Sequence, residues 1–328
     1  MPVKRSLASL SLLAASAVVL AGCTATDAAP AASTGAAAET IQVEDNSGTQ
    51  TVPAAPSSVV ALDNRTFETL SDWGVELSAA AVALMPETIA YTQDDSIVDI
   101  GNHREPNLEL IVAAEPDLVI SGQRFSDRDA DIAALVPDAA VLQLEPRDGE
   151  PFDEELRRQV TVLGEVFGKQ AEAEQLVADF DAAIERAANA YDASQKVMAV
   201  TTTGGEIGYL APSVGRTLGP IFDILGMTPA LEVDGSTDDH QGDDISVEAI
   251  ADSNPDWILV MDRDAAVGAD DPAFAPAADI LEGSEALTGV TAVQEGNLVY
   301  MPADTYTNEG IQTYTEFLNG FADALEAS

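Results

Sequence analysis

The chain has 328 residues, a length typical of about two domains, and carries 14 Lys and Arg against 57 Asp and Glu, for a formal net charge of −43. So acidic a chain lacks the basic surface that phosphate contacts require, which excludes nucleic acid as a partner. A single Cys excludes an intramolecular disulfide and Cys-rich metal sites, while two His are too few for a multi-histidine metal cage.

The first 22 residues have the organisation of a secretory signal. Two basic residues precede an apolar run from Leu7 to Leu20 that is too short to span a membrane. The sequence Leu-Ala-Gly then precedes Cys23, which resembles the bacterial lipoprotein signal, where the Cys is lipidated and becomes the mature N-terminus. An ordinary signal peptide with a chance Cys is the alternative. Residues 23–40 form a small-residue tether, so we expect the protein on the extracytoplasmic face of the membrane, lipid-anchored without spanning it.

Beyond the tether, short apolar runs of the parallel-strand type alternate with helical patterns. These runs lie at residues 58–62, 118–120, 141–142, 197–200, 257–260 and 298–300. Helices between strands of this kind predict an α/β fold with parallel sheets.

An internal repeat indicates two similar lobes. Asn107-Leu-Glu-Leu-Ile begins a helix that leads through Glu-Pro-Asp into the strand at 118–120, and Ser246-Val-Glu-Ala-Ile does the same through Asn-Pro-Asp into the strand at 257–260. Equivalent residues are 139 apart, since 248 − 109 = 139 and 263 − 124 = 139. Shared Glu, Ile, Pro, Asp and Arg make chance similarity of two α/β patterns a poor explanation.

A long helical stretch separates the two halves of the repeat. Residues 153–167 predict one helix and residues 170–191 a second, which no Gly or Pro interrupts. A helix of about 22 residues spans about 33 Å, enough to connect two lobes. We therefore expect an N-terminal lobe at 41–168, a connecting helix at 169–193 and a C-terminal lobe at 194–328, with a small hinge motion because the connector is rigid.

Two arginines occupy matching positions in the repeat. Arg124 and Arg263 lie at or just beyond the carboxyl ends of parallel strands, where open α/β sheets bind ligands. If the lobes face each other, both guanidiniums enter one cleft and favour an anionic ligand with delocalised oxygens. The alternative is that each Arg pairs with a neighbouring acid such as Asp127 or Asp262.

Two glutamates also match across the repeat. Glu109 and Glu248 follow Asn107 and Ser246 by two residues, at the start of a helix in each lobe. A structural interpretation is an acid favoured by the helix dipole after an N-cap. The functional interpretation places two exposed carboxylates on one face, available to the basic residues of a partner.

These motifs resemble those of substrate-binding lipoproteins of ABC importers for ferric siderophores and cobalamin, a family with two Rossmann-like lobes joined by one helix. The resemblance covers about residues 41–328 and is carried by the long helix and by residues 58–63, 100–109 and 116–122. It implies a binding protein, not an enzyme, that captures a ferric siderophore as transported ligand and has no intrinsic cofactor. We expect this protein to act as a monomer and to deliver the ligand to permease subunits through contacts at Glu109 and Glu248.

The second half is most similar to the subgroup that binds catecholate siderophores such as petrobactin. The matching stretches are residues 215–226, 240–248 and 254–268. The resemblance implies an Arg triad around the catecholate oxygens, formed by Arg124, Arg216 and Arg263. It also implies that His240 and Tyr306 complete the coordination of ferric iron when a siderophore supplies only four oxygens.

The chemistry of these residue types agrees with that assignment. Ferric iron prefers anionic oxygen, and three Arg compensate the negative charge of a ferric bis-catecholate. A neutral imidazole binds iron, as does a phenolate once the metal has lowered its pKa. A solvent-exposed loop residue is the alternative for His240, and His103-Arg104 is a second candidate for the cleft.

Several other functions remain as alternatives. Receptors of the same fold for hydroxamate siderophores, haem or cobalamin need less cationic charge, and a zinc or manganese receptor needs more nitrogen ligands. An exported enzyme is the alternative of another class, although the chain has no nucleophile elbow and no HExxH. A structural surface protein would tolerate the acidity but would not explain the repeated Arg.

Overall fold

The computed structural model describes residues 39–328, so the expected signal peptide, Cys23 and most of the tether lie outside the described residues. An antiparallel hairpin of β1 (Thr40–Asp45) and β2 (Gly48–Pro53) opens this part of the chain. This hairpin was not predicted from the sequence. Its inward residues Val43 and Val52 join the main hydrophobic core.

The N-terminal lobe is built on a five-stranded parallel sheet with the order β5-β4-β3-β6-β7. Its strands are β3 (Val59–Ala61), β4 (Ala79–Ala80), β5 (Val98–Asp99), β6 (Leu118–Ser121) and β7 (Ala140–Gln143). The central strands β3 and β6 are buried along their whole length, as their continuous apolar sequences predict. The strand order reverses between β3 and β6, which places the switch point of the sheet beside the residues that follow these two strands.

Five α-helices lie between and after these strands in the chain. They are α1 (Phe67–Asp72), α2 (Leu108–Ala113) and α3 (Asp129–Leu135), followed by the longer α4 (Phe152–Phe167) and α5 (Gln170–Ala190). Gly168 ends α4 in the left-handed conformation, with φ of 65°. The two long helices agree with the predicted ranges to within one residue at each end. The proposed domain boundaries around the connecting helix stay a prediction.

The C-terminal lobe is built on a second sheet with the order β10-β8-β11-β12, in which these four strands are parallel. Its strands are β8 (Lys196–Thr203), β9 (Glu206–Leu210), β10 (Thr228–Pro229), β11 (Trp257–Asp262) and β12 (Leu298–Tyr300). β9 is antiparallel and pairs with β8. Gly204 and Gly205 form the two-residue turn between them and both have positive φ, which matches the turn type that favours hairpins.

The remaining helices cover the second sheet and return to the first lobe. They are α6 (Gly219–Leu225), α7 (Val247–Ser253), α8 (Arg263–Val267), α9 (Ala277–Gly283), α10 (Thr291–Glu295) and α11 (Ile311–Ala327). The apolar face of α11 packs on α5, so that one buried cluster includes residues of both sheets and of these two helices. Over the described range, no helix is both long and apolar enough to cross a membrane.

The internal repeat is also seen in backbone conformation and in hydrogen bonds. α2 and α7 begin at equivalent residues, and Glu115 and Asn254, which are 139 residues apart, both have φ of 44°. In the first lobe, the carboxylate of Asp117 accepts hydrogen bonds from the backbone N–H of Ser57 and Ser58. Its equivalent Asp256 accepts one from the N–H of Lys196. Each Pro-Asp therefore fixes the start of the neighbouring strand, and the predicted fold of two α/β lobes with parallel sheets is confirmed.

Candidate functional site

Three arginines converge on one tyrosine ring. The guanidinium carbons of Arg124, Arg216 and Arg263 lie 5.0, 4.9 and 4.7 Å from the centroid of the Tyr306 ring. Each distance is within the range of a cation–π contact. We call Arg124, Arg216 and Arg263 the arginine cluster.

The fold brings these side chains together from both lobes. Arg124 lies in a short 3₁₀ helix directly after β6, and Arg263 is the first residue of α8, directly after β11. Arg216 lies in the loop between β9 and α6. Tyr306 belongs to the segment between β12 and α11, residues 304–310, which we call the bridging segment.

The three arginines differ in their charge partners. Arg263 approaches its neighbour Asp264 at 3.4 Å, not Asp262, whose carboxylate accepts the backbone N–H groups of two alanines. Arg216 pairs with Glu309 at 3.0 Å. Within residues 39–328, Arg124 has no carboxylate within 4.0 Å, Asp127 included, and its Nη2 instead donates a hydrogen bond of 3.2 Å to the backbone carbonyl of Tyr306.

Tyr306 is almost fully buried by this arrangement, with 5% of its surface exposed. Burial by itself disfavours the phenolate. Interaction with Arg263 and the charges of Arg216 and Arg124 outweigh that effect, so the pKa of Tyr306 lies below its ordinary value of 10.0. The cluster therefore favours an anionic oxygen at the position of this hydroxyl.

A buried carboxylate, that of Glu309, forms an ion pair with one arginine of the cluster. Glu309 has no exposed surface and accepts hydrogen bonds from Arg216 through Nε at 3.1 Å and Nη2 at 3.0 Å. It also contacts Arg65 at 3.2 Å, Thr217 at 2.7 Å and Gln123 at 2.5 Å. Burial opposes its ionisation, but the charges of Arg216 and Arg65 lower the pKa of Glu309 to about 2.

A glycine allows the close approach of chain segments at the end of β6. A Cβ on Gly122 would lie 2.6 Å from the carboxylate of Asp63, which follows β3. Asp63 has no exposed surface, and burial raises its pKa even though Arg65 acts in the opposite direction. Only a residue without a side chain at position 122 permits the ends of β3 and β6 to approach in this way.

Buried polar atoms without hydrogen-bond partners concentrate around the arginine cluster. In the part of the chain that the structure describes, they include the Nε atoms of Arg65, Arg124 and Arg263, both amide atoms of Asn64, Nδ1 of His103, Oε1 of Gln123 and Oδ1 of Asn308. Buried polar groups are normally paired, so this concentration is typical of a region that binds a polar ligand.

The two histidines lie in different surroundings. His240 is on an exposed loop, with 46% of its side chain exposed and Nδ1 3.8 Å from Asp239, and among residues 39–328 no hydrogen bond joins it to the arginine cluster. His103 is half-buried. Burial, Arg124 and Arg104 all lower the pKa of His103, which favours a neutral imidazole. The roles of both histidines stay predictions.

The repeated glutamates are exposed in both lobes. Glu109 and Glu248 occupy the first turns of α2 and α7. Ser246 caps its helix, since its side chain accepts a hydrogen bond from the N–H of Ala249, whereas the side chain of Asn107 makes no such bond. The exposure that a permease contact requires is therefore present at both positions.

Two charged residues of the site were missed in the sequence. Arg65 follows β3 by four residues, so the rule that selected Arg124 at the end of β6 also applies to it. Glu309 carried no signal of its own among 57 acids. In residues 39–328, no group of three or more His, Cys, Asp or Glu side chains is arranged to hold a metal ion.

The fold and the position of the cluster define a two-lobed solute-binding protein. The sequence matches the model of the periplasmic binding protein family over residues 59–305, and the chain belongs to that family. The expectation of a binding protein, not an enzyme, is thereby confirmed.

Two curated relatives are similar over most of the chain. The petrobactin-binding protein YclQ of Bacillus subtilis is 25% identical over 288 residues, which cover 86% of each chain. The ferric-anguibactin-binding protein FatB of Vibrio anguillarum is 28% identical over 229 residues, 69% of each chain. The predicted resemblance to siderophore-binding proteins of the petrobactin type is confirmed.

Solved structures show the same fold. The crystal structure of YclQ superposes with a TM-score of 0.74 at 23% identity and covers 88% of this chain and 99% of that chain. A TroA-like periplasmic binding protein from Xylanimonas cellulosilytica gives a TM-score of 0.73 at 28% identity, with coverage of 85% and 92%.

Proposed function

We propose that this protein captures a ferric siderophore of the catecholate type and delivers it to an ABC import permease. The observation that carries the proposal is the convergence of Arg124, Arg216 and Arg263 on one buried ring in a chain of net charge −43. A ferric bis-catecholate is anionic, and its oxygens suit the planar, multi-donor guanidinium group. The local positive field selects such an anion against the sign of the whole protein.

The relatives support this ligand class. YclQ is named for petrobactin and FatB for ferric anguibactin, and both match the chain over at least two thirds of its length. Hydroxamate siderophores, haem and cobalamin remain the alternatives within the same fold, and each requires less positive charge in the cleft.

Within this function, each site residue has a defined role. The arginine cluster binds the catecholate oxygens, and Tyr306 supplies a phenolate oxygen to iron, which its lowered pKa favours. His240 supplies the second protein ligand from its exposed loop. The siderophore is the transported ligand and not a resident cofactor.

The remaining roles concern the membrane partner. Glu109 and Glu248, exposed on equivalent helices, contact basic residues of the permease subunits, one from each lobe. Cys23 carries the lipid anchor that holds the monomeric protein at the extracytoplasmic face of the membrane. Tethering beside the permease raises the local concentration of the loaded receptor.

A titration with defined ferric complexes tests the proposal. We expect ferric 2,3-dihydroxybenzoate, with one iron to two catechols, to bind with a shift of its charge-transfer absorbance and to quench the fluorescence of Trp73 and Trp257. Ferrioxamine, haem and cyanocobalamin serve as competing ligands. Unchanged absorbance and fluorescence with every ferric catecholate would refute the catecholate assignment, and preferential binding of ferrioxamine would favour the hydroxamate alternative.

A further inference from the structure

Glu309 accepts hydrogen bonds from both lobes. Arg65 and Gln123 follow β3 and β6 of the first sheet, whereas Arg216 and Thr217 lie between β9 and α6 of the second lobe. Its two carboxylate oxygens thus hold four donor residues from three places that are distant in sequence. A Cβ on Gly310, the next residue, would lie 2.8 Å from the backbone carbonyl of Arg65, so the bridging segment also touches the first lobe through its main chain.

The two uncharged residues that donate hydrogen bonds to Glu309, Gln123 and Thr217, have unusual backbone conformations. Gln123 has φ of 43° and Thr217 has φ of 69°, and each is the chain neighbour of a cluster arginine. A β-branched residue with positive φ is strained, as is a non-glycine residue in this region generally. Both residues donate a side-chain hydrogen bond to Glu309, Gln123 at 2.5 Å and Thr217 at 2.7 Å.

We propose that Glu309 is the positioning residue of the site: it holds Arg216 against Tyr306 and links the two lobes, so that the arginine cluster is arranged before a ligand binds. That Glu309 arranges the cluster for a ligand rests on the proposed function above. That Glu309 connects the two lobes is a property of the ligand-free protein.

Glu309→Gln tests the positioning role because it keeps the size of the side chain and removes its charge. The new amide Nε2 is a donor that faces other donors, so Arg216 loses a charged partner. We expect the affinity for ferric 2,3-dihydroxybenzoate to fall by about 10- to 100-fold, the range for a hydrogen bond to a charged group. Arg216→Ala is measured beside it, together with the double variant.

The double variant distinguishes positioning from general damage. If Glu309 acts through Arg216, the double variant binds the probe no more weakly than Arg216→Ala alone. If the two losses multiply, or if Glu309→Gln binds like the wild type, the positioning role is refuted. Should Glu309→Gln fail to fold, Glu309→Asp replaces it in the same cycle, because the shorter carboxylate keeps the charge but does not reach both lobes.

Glu155→Gln is the matched control. Glu155 is 1% exposed, and its carboxylate also binds two arginines, Arg147 at 2.5 Å and Arg158 at 2.8 Å. All three belong to the N-terminal lobe. We expect Glu155→Gln to lower thermal stability as Glu309→Gln does, while its affinity for the probe stays that of the wild type.

Hydrogen exchange of the ligand-free protein tests the link between the lobes independently of any ligand. Glu309→Gln is expected to accelerate amide exchange in the segments around both Gln123 and Thr217, whereas Glu155→Gln accelerates exchange only in residues 145–158. Acceleration confined to the bridging segment would overturn the proposal. If the wild type does not bind the probe, the proposed function fails, but this experiment still decides the role of Glu309 between the lobes.

Discussion

Arg124 contacts Tyr306 in two ways: its guanidinium carbon lies 5.0 Å from the ring centroid, and its Nη2 donates a hydrogen bond of 3.2 Å to the backbone carbonyl. The first residue follows a strand of the N-terminal lobe, and the second belongs to the bridging segment beyond the C-terminal sheet. The pair therefore joins the lobes at the point where the positive charge of the site is concentrated.

Arg124→Ala is expected to weaken binding of an anionic ferric catecholate more than Arg263→Ala does. Arg263 is partly neutralised by Asp264 at 3.4 Å, whereas Arg124 has no carboxylate within 4.0 Å in the described range. The expected loss for Arg124→Ala is about 1.5–3 kcal/mol. Titration at several salt concentrations measures it, and the salt dependence should fall most in this variant.

Arg157→Ala provides the control for that comparison. Arg157 also stands over an aromatic ring, 5.3 Å from the centroid of Phe180, but it lies on α4 and pairs with Asp153 and Asp181. We expect unchanged affinity in this variant. Equal losses in all three arginine variants would mean that net charge, and not the cluster, determines binding.

The Tyr306 phenol is expected to ionise before Tyr209, which is buried, and before Tyr300, which is partly exposed. The cluster arginines lower the pKa of Tyr306 below the ordinary 10.0, whereas burial of Tyr209 and partial burial of Tyr300 raise the pKa of each to about 12. Alkaline titration followed at the tyrosinate absorbance measures this, since Tyr306→Phe should remove an early component and Tyr300→Phe a late one. Arg263→Ala should move the early component to higher pH. An unchanged early component in Tyr306→Phe would contradict the electrostatic account.

The histidine assignment predicts a difference between two variants. With a tetradentate ferric catecholate, His240→Ala should shift the charge-transfer band, because one iron ligand is lost. His103→Ala should leave the position of the band unchanged and alter the affinity at most, because His103 adjoins Arg124 and is not assigned to the metal. A band shift in His103→Ala alone would transfer the ligand role to that residue.

The sequence was sufficient for features set by local pattern and by the repeat. The offset of 139 located Arg124 and Arg263 because both follow equivalent strands, and parallel strands present their carboxyl ends on one side of a sheet. Arg216 and Tyr306 came from the family resemblance alone. Their meeting depends on how the bridging segment crosses between the lobes, which no local pattern encodes.

Glu309 shows why the rest was not accessible from the sequence. Its partner Arg216 is 93 residues away, and pairing over such a distance is a property of the tertiary fold. The hairpin of β8 and β9 illustrates another limit. Its Gly204-Gly205 turn was not predicted from the sequence, although two glycines between apolar runs are typical of a hairpin.

Gly310→Ala is expected to lower both stability and ligand affinity. Its Cβ would approach the carbonyl of Arg65 to 2.8 Å, so that backbone must shift, at a cost of about 1–3 kcal/mol. Gly320→Ala, within α11, has no atom within 4 Å of the new Cβ and should increase stability by about 0.5–1 kcal/mol. Urea unfolding of both variants provides the measurement. Destabilisation by Gly320→Ala comparable to that of Gly310→Ala would contradict the close approach to Arg65.

The buried carboxyl groups predict that stability peaks in mildly acidic solution. Burial raises the pKa of Asp63 and of Glu68, so the stability that their protonated forms contribute is lost as pH rises through those raised values. For Glu155 and Glu309, burial acts in the same direction, but arginine partners outweigh it and lower each pKa to about 2. Their contribution is complete above their ordinary value of 4.5 and is lost as pH falls toward 2.

Urea unfolding measured from neutral to strongly acidic pH therefore has an expected shape. The free energy of unfolding should rise as the pH falls below 7, since Asp63 and Glu68, whose pKa values are raised, bind protons more readily in the folded protein and the large negative charge is reduced. It should fall below about pH 4 as Glu155 and Glu309 become protonated. Glu155→Gln removes one of the two acid-labile ion-pair groups, so its curve should be lower at neutral pH and flatter in acid than that of the wild type. A wild-type curve that keeps rising to pH 3 would mean that these buried carboxylates do not stabilise the folded protein through their arginines.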